Sequence, residues 1–456
     1  MIRSAPSSIV FRAGQVRRIA SAAGKDYGRL PHSNSPIVSK LKFFNAVSGD
    51  GNTIPTYRVL DGVGKPLEGA ELPEIDRALA RKVYEHMQLL PTLDTVLYNV
   101  QRQGKISFYM TSHGEEATII GSAAALELDD EVLGGHGYPL PPVFALTSFN
   151  RAIPRNRGSS LAYGLDNVMA QCFGNEEDTA SKGKQMPVHL SSPKYHFHTI
   201  SSPLATQIPQ AAGVAYALRR IPSRRSRSIA ACYFGEGAAS EGDFHAGLLM
   251  ASTIPSPALF IARNNGFAIS TPSSEQFYGD GIASRGPGYG IHTIRVDGND
   301  VLAVMSAVKE ARKRCLEEGR AVLIEAMTYR VGHHSTSDDS FAYRARAEVE
   351  DWKKIDNPIT RFRLFLESQG WWDAQAEEEL KDRLKADVMK AFKRAESLPK
   401  PELKELFTDV YGGEEPWNLK EQRAELQGLL RKYGNEWEPW KAEIGRFRNK
   451  ARDLID

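Results

Sequence analysis

Hydrophobic and polar positions along the chain follow two regimes. Before about residue 133 apolar residues recur at helical spacing, whereas beyond about 200 short unbroken apolar runs alternate with helical stretches. "ELPEIDRALARKVYEHMQLLPTLDTVLYNVQRQGK" (71–105) predicts one long helix, and "HGEEATIIGSAAALELDDEVL" (113–133) a second, rich in small residues. Farther on, the pattern predicts a helix over 203–220, a strand over 229–234, a helix over 239–253 and a strand over 257–262. A helix over 301–318 and a strand over 321–329 follow. Strands that are continuous apolar runs between helices indicate a parallel sheet covered on both faces. The expected class is therefore α/β, a mostly parallel sheet with helices on both faces, plus helical N- and C-terminal extensions. Residues 41–112 would form the largely helical N-terminal extension, 113–355 the α/β domain, and 356–456 a charged helical region for peripheral packing or subunit contacts. No internal repeat is visible.

Composition removes several classes. A chain of 456 residues with 41% hydrophobic and 25% charged residues has ample material for a core. Its net charge of +2 gives no support to a nucleic-acid partner. No apolar run approaches the roughly 18–20 residues of a spanning helix, so no membrane association is expected. Cys172, Cys232 and Cys315 are far apart and form no CxxC pair, which predicts reduced thiols rather than a disulfide or zinc framework. The first 25 residues carry Arg3, Arg12, Arg17, Arg18 and Lys25 with no acidic residue before Asp26. That composition predicts a mitochondrial transit peptide within a leader of about residues 1–40, and hence a matrix protein; a basic tail is the alternative.

Candidate chemistry begins at "ACYFGEGAASEGD" (231–243), where an apolar run stops at Gly235-Glu236-Gly237. Glycine on both sides of a carboxylate lets something approach the backbone closely. The chain then passes through one helix and returns as "ALFIARNNGFAIST", which ends in Asn264-Asn265-Gly266. Consecutive strand–helix–strand units of a parallel sheet bring both strand ends to one edge, where ligands of open α/β folds bind. Glu236 and Asn265 are therefore expected to meet there. A carboxylate, an amide oxygen and a nearby carbonyl are hard ligands suited to Mg²⁺ beside a substrate phosphate. The helix after Gly237 would add amide donors for that phosphate, and Arg263 would reach the same anion.

"GEGAASEGDFHAGLLMASTIPSPALFIARNNGFAIST" resembles the thiamine-diphosphate motif, with its G-D/E-G start and paired asparagines about thirty residues downstream. "QMPVHL", "ISSPLATQIPQAAGVAYA", "GDGIASRGPGYG" and "YRVGHHSTSDDSFAYR" are similar to the alpha subunits of mitochondrial branched-chain 2-oxoacid dehydrogenases, the decarboxylating components of those complexes. The resemblance implies a thiamine-diphosphate-binding fold and oxidative decarboxylation of branched-chain 2-oxoacids, with the acyl group passed to a lipoyl carrier. It implies that Glu236, Asn265 and the carbonyl of Phe267 hold Mg²⁺, and that Gly237, Ala238 and Arg263 contact the diphosphate. Ser202 and Leu204 would line the cofactor's bent centre. Ser201, Pro203, Thr206 and Gln207 would form a structural K⁺ site; a plain helix cap, with Ser202 before Pro203, is the other reading of "SSPLATQ". His334 would contact the cofactor and assist acid–base steps. Ser335 lies where the family is phosphorylated by a regulatory kinase and reset by a phosphatase, and a second family site corresponds to Ala345; without the resemblance "STSDDS" would read as a solvated turn. The implied partners are a beta subunit in an alpha2-beta2 heterotetramer and a lipoyl-bearing dihydrolipoyl acyltransferase core.

One segment departs from the family. Residues 132–165 contain four prolines, no acidic residue and no lysine, and show neither helical nor strand periodicity. Where the family has the Tyr and Arg that hold the diphosphate, this chain has His136 and Gly137. One reading is a mis-spliced or wrongly translated stretch; another is a replacement loop in which Tyr138, Arg151, Arg155 or Arg157 substitutes. A cofactor-deficient structural or regulatory subunit is the alternative that this segment raises.

Overall fold

A computed structural model describes residues 53–135 and 164–446, all within a unit spanning Val47–Asp456. Its strands are β1 (Thr56–Tyr57), β2 (Glu131–Gly134), β3 (Ala230–Gly235), β4 (Ala258–Asn264), β5 (Phe267–Ala268), β6 (Thr271–Pro272), β7 (His292–Asp297) and β8 (Val322–Met327). Six of them form one sheet in the order β1-β7-β8-β4-β3-β2, and every neighbouring pair is parallel. β5 and β6 are a separate small antiparallel hairpin directly after β4.

The sheet is buried on both sides because successive strand residues point to opposite faces. Ala231 and Tyr233 of β3, with Leu259 and Ile261 of β4, enter one core. Ala230, Cys232 and Phe234, with Phe260 and Ala262, enter the other. The first core is covered by α1 (Arg77–Arg102), α2 (Glu116–Ala124) and α3 (Leu165–Phe173). The second is covered by α4 (Gln207–Arg220) and α5 (Gly242–Thr253). α4 and α5 pack closely enough that a Cβ on Gly247 would stand 2.7 Å from Ile208. α6 (Val301–Glu318) returns to the first face, its N-terminus capped by the Asp300 carboxylate. α7 (Arg346–Ile355), α8 (Pro358–Ser368), α9 (Ala374–Ser397) and α10 (Trp417–Tyr433) complete the described chain. Cys172, Cys232 and Cys315 are buried free thiols. No helix of the described residues is long and apolar enough to cross a membrane.

Several expectations are corrected. The helix expected over 113–133 stops at Ala124, and Glu131–Gly134 is β2, in register with Ala230–Tyr233. Asp130 causes the change of direction: its carboxylate accepts from the N–H groups of Glu127 and Ile229 and from Arg312, tying the turn to the start of β3. β2 also shows that regular structure continues to residue 134, into the segment read as lacking periodicity. The helix expected from 203 begins at Gln207 because Ala205 sits at a left-handed φ of 66°, so Ser202 does not cap it. The helix expected from 239 is split into a single turn, Glu236–Ala239, and α5. β7 was not anticipated; its "HTIRVD" is polar at alternate positions and runs from exposed to buried. The C-terminal helices are not only peripheral: α8 and α9 place Phe362, Phe365, Leu380 and Val388 in the first core. The Glu377 carboxylate ties them down, accepting from Tyr84 at 2.8 Å and from the Trp372 indole at 3.0 Å. The leader, His136, Gly137, Tyr138, Arg151, Arg155 and Arg157 lie outside the described residues.

Candidate active site at the carboxyl edge of the sheet

β3 and β4 end side by side, with Gly235 paired to Arg263. The residues that follow them, Glu236 and Asn264-Asn265, therefore emerge at one edge. Asn264 turns away from the edge and into the sheet, donating to Glu325 at 2.9 Å and accepting from the Gly266 N–H at 3.1 Å. Gly266, at φ +88°, reverses the chain into the β5–β6 hairpin. That hairpin lies against the Glu236 turn so tightly that a Cβ on Gly237 would stand 3.0 Å from the Ala268 side chain. A side chain after Glu236 would therefore crowd the hairpin.

The centre of the site is a surplus of oxygen acceptors. Glu236 Oε1 and Asn265 Oδ1 both accept from the same Phe267 N–H, at 2.6 and 3.1 Å. Glu236 is 2% exposed, and burial pushes its carboxyl up to about 7; the charge of Glu115 adds to the rise, while its own N–H, Arg263 and the Phe267 N–H oppose it. A buried carboxylate sharing one donor with an amide oxygen is a good fit for a hard cation, which would supply the missing positive charge. Ala238 is buried in the same turn. Because that turn is short, any anion there would meet one turn's amides rather than the end of a long helix.

Arg263 is buried, and its guanidinium lies 3.0 Å from a carboxylate oxygen of Glu115. The other Glu115 oxygen accepts from Asn265 Nδ2 at 2.8 Å. Glu115 is not among the residues expected from the sequence, where "HGEEATIIGS" reads only as helix. Two acidic residues directly after His-Gly, at a helix start, were the available signal.

The second candidate cluster sits beside the first. Gly135, just past β2, pairs with Ser201. Ser201 Oγ lies 3.0 Å from Thr206 Oγ1, and the Pro203 carbonyl is within 3.5 Å of both hydroxyls. Gln207 donates to the Tyr233 carbonyl of β3 at 3.1 Å, while its Oε1 is buried without a hydrogen-bond partner. Gathered oxygens beside an orphaned amide oxygen fit a weakly bound cation. Ser202 is exposed and bonded to the buried His189, and Leu204 is 43% exposed.

The histidine loop after β8 joins the same edge through the hairpin. Arg330 donates to the Ile269 carbonyl at 2.8 Å and to the Tyr343 hydroxyl at 2.7 Å, and lies 3.3 Å from His334 Nδ1. Asp338 accepts from the His334 N–H and from Tyr343, both at 2.8 Å. Arg344 stacks over Phe267. Ser335 is only 6% exposed and bridges to Met110. Glu236, Asn265, Phe267 and Arg263 are thus brought together directly, and His334 is connected to them through Arg330 and the hairpin.

A parallel sheet that brings a carboxylate, an amide and an arginine together at its carboxyl edge is an α/β fold with these groups where open sheets of this class bind ligands. Residues 84–404 match the model of the dehydrogenase E1 component family, and the chain belongs to that family, whose members depend on thiamine diphosphate. It is 50% identical over 416 residues to the 2-oxoisovalerate dehydrogenase subunit alpha, mitochondrial, of Homo sapiens, covering 90% of this chain and 87% of that one. Identity to the protein of the same name from Caenorhabditis elegans is 46% over 432 residues, 92% of this chain and 94% of that one. The subunit alpha 1 of Arabidopsis thaliana is 46% identical over 410 residues, covering 90% and 82%.

Proposed function

We propose that this chain is the alpha subunit of a mitochondrial branched-chain 2-oxoacid dehydrogenase and supplies the metal and diphosphate half of its active site. The convergence of Glu236 and Asn265 oxygens on one N–H carries the reading. Glu236, Asn265 and the Phe267 carbonyl would hold Mg²⁺, while Gly237, Ala238 and Arg263 would receive the diphosphate. Thiamine diphosphate, when bound, supplies a nucleophilic carbon and an electron sink for loss of CO₂ from a 2-oxoacid. His334, held by Arg330 and Asp338, would hold or deliver a proton at the reacting end. Ser202 and Leu204 are exposed, as residues lining a pocket shared with a second chain would be. Ser201, Pro203, Thr206 and Gln207 would hold K⁺ and fix the loop that presents them. The expected assembly is two alpha with two beta chains, delivering the acyl group to the lipoyl carrier of an acyltransferase core. Arg3, Arg12, Arg17, Arg18 and Lys25 belong to a transit sequence in this reading.

Regulation at Ser335 would act by disruption. Its hydroxyl accepts from the Ser337 N–H within the loop that carries His334. A phosphate there would add about two negative charges beside the diphosphate site and open the loop. The test is reconstitution with a beta subunit and assay of 3-methyl-2-oxobutanoate decarboxylation. Turnover dependent on thiamine diphosphate, and lost in His334→Ala, is expected. Assembly without turnover would instead support a non-catalytic structural or regulatory subunit.

A further inference from the structure

We propose that Glu115 is a positioning residue that fixes both the metal-binding face of Asn265 and the placement of Arg263; this rests on the proposed Mg²⁺–diphosphate reading. A carboxamide has two ends of nearly equal shape but opposite chemistry, and only its oxygen can ligate a cation. An ionised carboxylate accepts and cannot donate. By accepting from Asn265 Nδ2 at 2.8 Å, Glu115 turns Oδ1 toward Glu236, and the Phe267 N–H at 3.1 Å reads the same end. Its second oxygen, 3.0 Å from the Arg263 guanidinium, aims the arginine and balances its charge in a buried setting. One side chain, 1% exposed, thus touches both Asn265 and Arg263.

Glu115 is itself held by a hydrogen-bonded loop. Its N–H donates to the Ser112 carbonyl at 3.0 Å. The Ser112 N–H and the Tyr109 hydroxyl donate in turn to Asp94 of α1, at 2.6 and 2.9 Å. Gly114, at φ +100°, passes so close to the segment after β8 that a Cβ would stand 2.3 Å from the Tyr329 carbonyl. The same loop carries the histidine segment: Val331 N–H donates to His113, Thr336 N–H to Tyr109, and Thr111 Oγ1 to the His333 carbonyl, at 2.9, 2.9 and 3.0 Å. Glu115 therefore stands at the end of a scaffold common to the metal ligands and the histidine loop. Partners of this kind, one step behind a metal ligand, typically change metal affinity by about 10–100-fold when removed.

The experiment uses the chain assembled with its beta subunit. Thiamine diphosphate binding is followed by calorimetry over a series of Mg²⁺ concentrations for wild type, Glu115→Ala and Glu115→Gln. Glu115→Ala should raise half-saturating Mg²⁺ by about 10–100-fold. Glu115→Gln keeps an amide oxygen for Asn265 Nδ2 and should return to within about threefold of wild type for Mg²⁺, while its lost charge weakens the cofactor's own affinity. Thermal melts in the absence of metal report folding separately. Wild type that binds normally while both variants keep its Mg²⁺ dependence would overturn the proposal. So would variants whose losses track only the metal-free melting temperature. Wild type with no Mg²⁺-dependent binding would instead overturn the reading of the site on which the proposal rests.

Discussion

Replacing Glu236 by glutamine should stabilise the metal-free protein above neutral pH and at the same time abolish its stabilisation by Mg²⁺. Burial raises the Glu236 carboxyl from its usual 4.5 to about 7. A carboxyl raised on folding stays protonated in the folded chain over a range where the unfolded chain has already released its proton. Its contribution to stability is therefore fully present below the unfolded value and is lost as pH rises through the folded one. The interval from 4.5 to about 7 corresponds to about 3.5 kcal/mol at about 1.4 kcal/mol per pH unit. Glutamine cannot ionise, and its amide oxygen can still accept from the Phe267 N–H. Chemical denaturation of the assembly in chelator, from pH 5 to 8.5, measures the difference directly. Asp94 and Glu116, raised by burial to about 7 and about 8, titrate in the same direction in both proteins and cancel in the comparison. The wild type should lose about 2.5 kcal/mol more than the variant over this range, which opens just above the unfolded value, and added Mg²⁺ should restore only the wild type. Parallel pH profiles for the two proteins would refute the argument that a buried, cation-seeking carboxylate sits at Glu236.

Other substitutions probe the scaffold. Gly114→Ala would force a positive φ on alanine and drive its Cβ against the Tyr329 carbonyl, costing at least about 2 kcal/mol in denaturant unfolding. Asp130→Ala would leave Arg312, bonded to Asp130 at 2.8 and 3.0 Å, without its buried partner, and should cost about 3–5 kcal/mol by the same assay. Gln207→Leu removes the orphaned amide oxygen beside Ser201 and Thr206; melting temperature should then no longer distinguish K⁺ from Na⁺. Ser335→Asp should accelerate amide exchange over residues 331–344 and weaken thiamine diphosphate binding, while exchange in β3 and β4 stays slow.

The sequence made the sheet legible where strands are wholly buried. "ACYF" and "ALFIA" are continuous apolar runs, and β3 and β4 fall there to within a residue or two. β7 escaped notice because half of it faces less buried surroundings and its pattern is mixed. β2 was absorbed into a helix because "LELDDEV" also fits helical spacing; only the Asp130–Arg312 pair and the register with β3 decide it. The pairing of Glu236 with Asn265 was legible because parallel topology alone brings the two strand ends together. The contacts of Glu115 were not, since its partners Arg263 and Asn265 lie far along the chain, the latter 150 residues away. The inward turn of Asn264, which leaves Asn265 at the edge, comes from Glu325, a strand residue whose partners no local pattern reveals.

The most direct test is calorimetric titration of thiamine diphosphate into the alpha–beta assembly, with and without Mg²⁺, for wild type and Asn265→Ala. Tight binding by wild type only with Mg²⁺, weakened at least about tenfold in the variant, is the predicted result, since each lost charge-assisted contact costs about 1.5–3 kcal/mol. Equal affinity in the two proteins, or wild-type binding indifferent to Mg²⁺, would contradict the assignment of this sheet edge as the metal and diphosphate site.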